Sequence, residues 1–166
     1  MNDQRGGSLK IRKYVLTPAE TPAGVTGSLE LAACAKLGFS AEDPAHPIEN
    51  ILVEDRNSYW SSGRDNTTER LLIEFDAPQT LSRLVYEVQE TRLARTQEIR
   101  VELSQDSGRT YRGILMQDYT FSPEGATLQR EDLRLEAIAV THLRLTIVPN
   151  KNGSGRATLT SLHLYP

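Results

Sequence analysis

Apolar and polar residues alternate at period two along much of the chain, which places successive side chains on opposite faces of strands. In L-L-I-E-F-D, Leu71, Ile73 and Phe75 share one face, and in R-L-V-Y-E-V-Q, Leu84, Tyr86 and Val88 share another. Ile99, Val101 and Leu103 alternate with Glu98, Arg100 and Glu102, while Leu143, Leu145 and Ile147 alternate with Arg144 and Thr146. An earlier run, Leu9 to Val15, fits an edge strand whose charges face water. In the last segment, Arg156 to Tyr165, the apolar positions change parity between Leu159 and Leu162, which predicts a bulge near Thr160 and Ser161.

Turn-forming clusters separate these runs: Asp76 to Pro78, Asp106 to Gly108, Pro123 to Gly125, and Asn150 to Gly155. Short strands and turns at regular spacing predict an all-β fold, an antiparallel β-sandwich. Helical signals are few. Pro47 suits the first position of one turn over I-E-N-I-L, and Arg130 to Ile138 fits either a helix or a strand. The segment T-P-A-E-T-P-A-G, Thr17 to Gly24, reads as a connector, so residues 1–27 form an amino-terminal extension and 28–166 the folded domain.

The 166 residues are enough for one domain with a core that needs no staples, and 38% hydrophobic with 25% charged residues describes an ordinary globular chain. A net charge of −3 does not favour capture of phosphate backbones, so nucleic acid is not an expected partner. Cys34 is the single cysteine, which excludes an intrachain disulfide and reads as a small buried hydrophobe. The polar start M-N-D-Q-R-G-G-S lacks the apolar segment of a secretory leader, and no run is long enough to span a bilayer. The expectation is a cytoplasmic protein without a membrane partner.

Catalytic signatures are lacking. His46, His142 and His163 do not stand at zinc-ligand spacing, and there is no nucleophile elbow, phosphate-cradling loop or dinucleotide fingerprint. The pairs Glu42–Asp43 and Glu131–Asp132 are common in solvent-facing loops and do not by themselves make an acid and base. The chain is therefore read as no enzyme, with no cofactor and no metal. His46, lying between Asp43 and Glu49, reads as a residue that holds its loop by hydrogen bonds.

Binding resources remain. Arg92, Arg95, Arg100, Arg109 and Arg112 could form a locally positive sheet face, set against the plainer reading of a solvated surface of mixed sign. Tyr59 and Trp60 in the opening segment, and Tyr119 and Phe121 before S-P-E-G, are aromatics at loop positions that could stack on sugar rings or fill a partner's pocket. A lone tryptophan at a strand boundary reads better as a core plug, so Trp60 is assigned to the interior.

The polar opening loop S-A-E-D-P-A-H-P, E-N-I-L before a tryptophan, V-E-L-S-Q-D-S-G-R-T-Y, and the closing L-R-L-T-I and A-T-L-T-S-L-H-L-Y together resemble the galactose-binding-like jelly roll, which includes discoidin and coagulation factor type C domains. The resemblance spans roughly Leu37 to Tyr165. The opening motif is similar to that of the amino-terminal domain of a single-strand-break repair scaffold and of a calcium-binding intraflagellar transport subunit. It implies a jelly-roll sandwich that binds through loops at one end. Calcium-binding members place an aspartate shortly after the E-N pair and often a glutamate in the final strand. This chain has Val53 and Ser161 there, with Asp55 two positions beyond Val53, so the resemblance does not carry calcium over.

The leading expectation is a non-catalytic module that binds a protein through the loop end or the arginine-bearing face. The alternative is a carbohydrate-binding module using the loop aromatics. Candidate ligand-binding residues are Asp55, Asn57, Ser58, Tyr59, Tyr119, Phe121, Arg92 and Arg95.

Overall fold

The computed structural model describes residues 27–166. The strand expected over Leu9–Val15 and the connector Thr17–Gly24 lie outside the described residues. A single helical turn, α1 (Leu31–Cys34), leads into β1 (Ala35–Phe39), and a 3₁₀ turn spans Ile48–Leu52 behind Pro47. Seven strands follow: β2 (Trp60–Asp65), β3 (Glu69–Gln89), β4 (Arg95–Ser104), β5 (Arg112–Phe121), β6 (Leu128–Val148), β7 (Arg156–Leu159) and β8 (Ser161–Tyr165).

The two long strands, β3 and β6, build both layers of an antiparallel jelly-roll sandwich. The first half of β3 pairs β1 on one side and the end of β6 on the other, with Ile73 opposite both Leu37 and Leu143. β4 continues that layer beyond β6, and β5 closes its edge. The second half of β3 lies between β8 and the start of β6, with Leu84 opposite both Leu164 and Leu133. Between Glu74 and Arg83 the register with β6 shifts three times, and this is where the pair crosses from one layer to the other. β2 and β7 form a separate two-stranded ribbon.

The expected turn at Asp76–Pro78 is thus an exposed corner inside one strand. Pro78 can stand there because pairing with β6 lapses between Glu74 and Gln79, so no ladder donor is lost. On the facing strand Ala139 takes a left-handed conformation, φ 53°, at the bulge that absorbs the extra residue. The stretch Arg130–Ile138, open between helix and strand from its sequence, is strand.

The alternating residues meet in one core. Leu71, Ile73, Leu84, Tyr86, Ile99, Val101, Leu143, Leu145 and Ile147 are all buried. The parity change in the last segment is real: after Leu159 the chain steps through Thr160 and moves from the ribbon with β2 to the layer with β3.

The β4–β5 hairpin is closed by a polar turn that the sequence D-S-G marks. Asp106 accepts hydrogen bonds from Thr110 Oγ1 at 2.6 Å, Thr110 N–H at 2.9 Å and Ser104 Oγ at 2.8 Å. These donors, Thr110 foremost, hold its carboxyl down at about 2. A carboxylate with a depressed folded-state pKa stabilises fully above its unfolded value and loses that contribution as pH falls through the folded one. The hairpin should therefore loosen as pH drops from about 4 toward 2. An NMR titration should place the Asp106 midpoint near 2, and a midpoint at an ordinary aspartate value would contradict this turn.

Candidate functional site

Residues of the opening segment are positioned by hydrogen bonds that its own sequence supplies. Glu42 accepts from the Ile48 N–H at 2.9 Å and so caps the 3₁₀ turn. Asn50 donates from Nδ2 to the Tyr59 carbonyl at 3.0 Å, tying the start of the loop to its end. Trp60 is fully buried and donates from Nε1 to the Ala41 carbonyl at 3.2 Å. Asp43 and His46 form a short antiparallel bridge, and the backbone of both bonds Ser61. Gly63 has φ +70°, and a Cβ there would lie 3.2 Å from Asp43 Cα, so the loop can seat on β2 only over glycine.

This seating brings His46 and Tyr59 together. Their rings stack with centroids 4.1 Å apart and planes 17° from parallel, and Tyr59 Oη lies 3.1 Å from His46 Nε2. The pair forms one wall of a cleft of about 700 Å³ at the end of the sandwich. Asp43, Asn57 and Asp65 add polar groups beside it, while Arg92 and Leu93 face it from the β3–β4 connection and Gly155, Arg156 and Thr158 from β7 and the turn before it. Arg156 Nε bonds Asp65 Oδ1 at 2.9 Å across the ribbon. Asn66, in the left-handed region at φ 58°, exchanges hydrogen bonds with Gly155 and fixes the two turns against each other.

Arg95 lies beneath this cleft and is buried, contrary to the expected exposed arginine. Nη1 donates to the carbonyls of Pro149, at 2.9 Å, and Arg156, and to Gln97 Oε1, while Nη2 donates to Thr158 Oγ1 at 2.7 Å. Nε lies 3.0 Å from Glu90 Oε1, but its N–H is not aimed at the carboxylate, so that contact is Coulombic rather than a hydrogen bond. Burial pushes the guanidinium pKa down and the Glu90 charge opposes it. Arg95 is a brace whose Nη1 and Nη2 donors go to the protein.

Two more expected ligand residues are also interior. Tyr119 and Phe121 belong to β5, not to a loop, and both are buried. The Tyr119 hydroxyl sits 2.5 Å from that of Tyr86 and donates to Glu131 at 2.9 Å. Burial raises the pKa of both phenols well beyond the ordinary value. They pack the sandwich and leave no aromatic surface for a ligand.

The expected arginine face does not assemble either. Arg100 pairs with Glu98 at 2.6 Å, and Arg95 has left the surface. Arg92 and Arg95 both line the end cleft, but Arg95 does so from its floor, with Nη1 and Nη2 bonded to the protein. At the loop tip, Asp55 accepts from the Asn57 N–H at 2.9 Å and its carbonyl accepts from the Ser58 N–H at 2.9 Å, the local turn expected of an aspartate. Asn57 and Tyr59 therefore join Arg92 and Arg95 in one cleft, whereas Asp55 faces a second cavity and Ser58 closes the turn.

Val53 is exposed at the end of the 3₁₀ turn and Ser161 is buried at the start of β8. Among the described residues, no three His, Cys, Asp or Glu side chains come together as metal ligands. Sequence reasoning passed over Asp65, Leu93 and Arg156. Asp65 and Arg156 carried signals, the D-N pair at the end of β2 and the arginine that follows G-S-G, while nothing in the sequence marks Leu93.

The F5/8 type C domain family matches residues 36–161, and the chain belongs to that family. It is a galactose-binding-like jelly roll, and domains of this type are non-catalytic binding modules, in agreement with the expectation that the chain is no enzyme. Among solved structures it is similar to a family 32 carbohydrate-binding module from a family 31 glycoside hydrolase of Clostridium perfringens, at 19% identity and TM-score 0.63, covering 84% of this chain and 94% of that one. The family 32 module of C. perfringens NanJ, solved with galactose, matches at 10% identity and TM-score 0.62, covering 84% and 98%. A pectin-binding module matches at 12% identity and TM-score 0.56, covering 80% and 91%. No curated protein sequence matches.

Proposed function

We propose that the domain binds carbohydrate in the end cleft, with Tyr59 and His46 as the platform and Asp43, Asn57, Arg92 and Arg156 as polar partners. The stacked Tyr59–His46 pair carries this reading, because an aromatic surface inside a polar cleft suits a sugar, which has apolar C–H faces and a rim of hydroxyls. Carboxylate acceptors and guanidinium donors line the same cleft, so one hydroxylated ring can meet both. The solved modules of similar fold, one pectin-binding and one in complex with galactose, support the same class of ligand. A protein partner has less support, since the arginine face expected to meet it is dispersed.

The test is a glycan array that includes galactose, N-acetylgalactosamine and oligogalacturonides, followed by calorimetry on the glycans retained. Tyr59→Ala should weaken binding by about 2 kcal/mol, roughly thirtyfold. Silence across the array, or an alanine variant that binds as well as the wild type, would overturn the proposal.

A further inference from the structure

A second cavity, of about 460 Å³, adjoins the end cleft on the outer face of the layer formed by β8, β3 and the start of β6. Its floor is Val85, His163 and Tyr165, and Glu54 and Arg130 stand at its sides. The register explains the floor, because Val85 lies opposite His163 on β8 and Asp132 on β6, so alternate residues of three strands point outward together. Burial lowers the His163 pKa, with the Glu54 and Glu87 charges opposing and Arg130 reinforcing, which leaves a neutral imidazole there at pH 7.

The two cavities share a wall residue, Arg56. Its guanidinium is held across the boundary by a fork to Glu87, Nε to Oε2 and Nη2 to Oε1, both at 3.1 Å. The Arg56 side chain is 58% exposed while that of Glu87 is 14% exposed, so the ridge is a solvated arginine resting on a covered carboxylate. An exposed arginine with spare N–H groups can bond a ligand lying over it without leaving its carboxylate. Along β3, Val85 in one cavity and Gln89 in the other are about 13 Å apart, a span longer than one sugar ring.

Resting on the carbohydrate reading above, we propose that the two cavities form one groove that takes an oligosaccharide chain across Arg56, rather than a single terminal sugar. The end cleft holds one sugar against Tyr59 and His46, and the following sugars pass over Arg56 onto the His163–Tyr165 floor. Arg130, on β6, flanks this floor with Nε 3.7 Å from Glu87 and Nη1 3.3 Å from Asp132.

The test compares galactose with β-1,4-linked galactose oligomers of two and six residues, and the uronic acid series of the same lengths, by calorimetry and by NMR of the histidine rings. The hexamer should bind at least about tenfold tighter than the single sugar, and that ratio should fall toward one in Arg130→Ala and in His163→Ala. In the wild type the hexamer should move the ring signals of both His46 and His163, whereas the single sugar should move only that of His46. Equal affinity for all lengths with an unmoved His163 signal would overturn the groove and leave the end cleft standing. No binding by either series at any length would overturn both readings.

Discussion

Replacing Arg95 with alanine is expected to lower stability by about 3–5 kcal/mol, the cost of removing one partner from a buried charged network. Glu90 would lose its counter-charge, and the carbonyls of Pro149 and Arg156 together with Gln97 and Thr158 would lose their donors at the largely covered floor of the cleft. That is a large part of the 5–15 kcal/mol that typically holds a domain together. Arg95→Lys should recover little, because one ammonium cannot reproduce a planar fork that reaches β4, β7 and the turn after β6 at once. Urea unfolding followed by the fluorescence of Trp60, the single tryptophan, measures both variants. A loss below about 1 kcal/mol for alanine would show that the brace carries no net stability. The same substitution should also deform the proposed sugar cleft, since Arg95 holds the walls around Gly155, Arg156 and Thr158.

What the sequence made legible follows from how much of each strand is covered. Strands with core on one face and partners on both sides, such as Leu71–Phe75 and Leu143–Ile147, alternate cleanly and could be read directly. The parity slip at Thr160 was legible for the same reason, since moving a strand to another layer must change which residues face inward. β1 and β5 were missed because they are edges, where a half-solvated strand tolerates Lys36 or Gln117 without a strict pattern. That miss misplaced Tyr119 and Phe121, which looked like loop aromatics only because β5 had not been seen. Arg95 was misread because charge on a sequence signals surface unless carbonyls converge on it, and the carbonyls of Pro149 and Arg156 lie far along the chain. The cleft has the same character: Asp43, Arg92 and Arg156 come from distant turns, and only the fold shows that these turns share one end.

Trp60→Ala should cost about 3–5 kcal/mol, as expected for truncating a fully buried large aromatic. The indole fills the core at the start of β2, opposite Leu159, and its N–H holds the Ala41 carbonyl, so packing and loop placement fail together. Trp60→Phe separates the two contributions. It keeps most of the apolar volume and removes only the hydrogen bond, and Ala41 is accessible enough for water to replace the donor, so the loss should be nearer 1 kcal/mol plus a small cavity. Circular dichroism must follow these variants, since the fluorophore is gone. The ring signals of His46 report the loop independently, and they should shift more in Trp60→Ala than in Trp60→Phe, because only alanine leaves the segment from Ala41 to Tyr59 without its floor. An alanine variant that loses less than about 2 kcal/mol would mean the core repacks around the gap. Equal His46 shifts in the two variants would mean that the indole N–H, not the bulk of the ring, positions the loop.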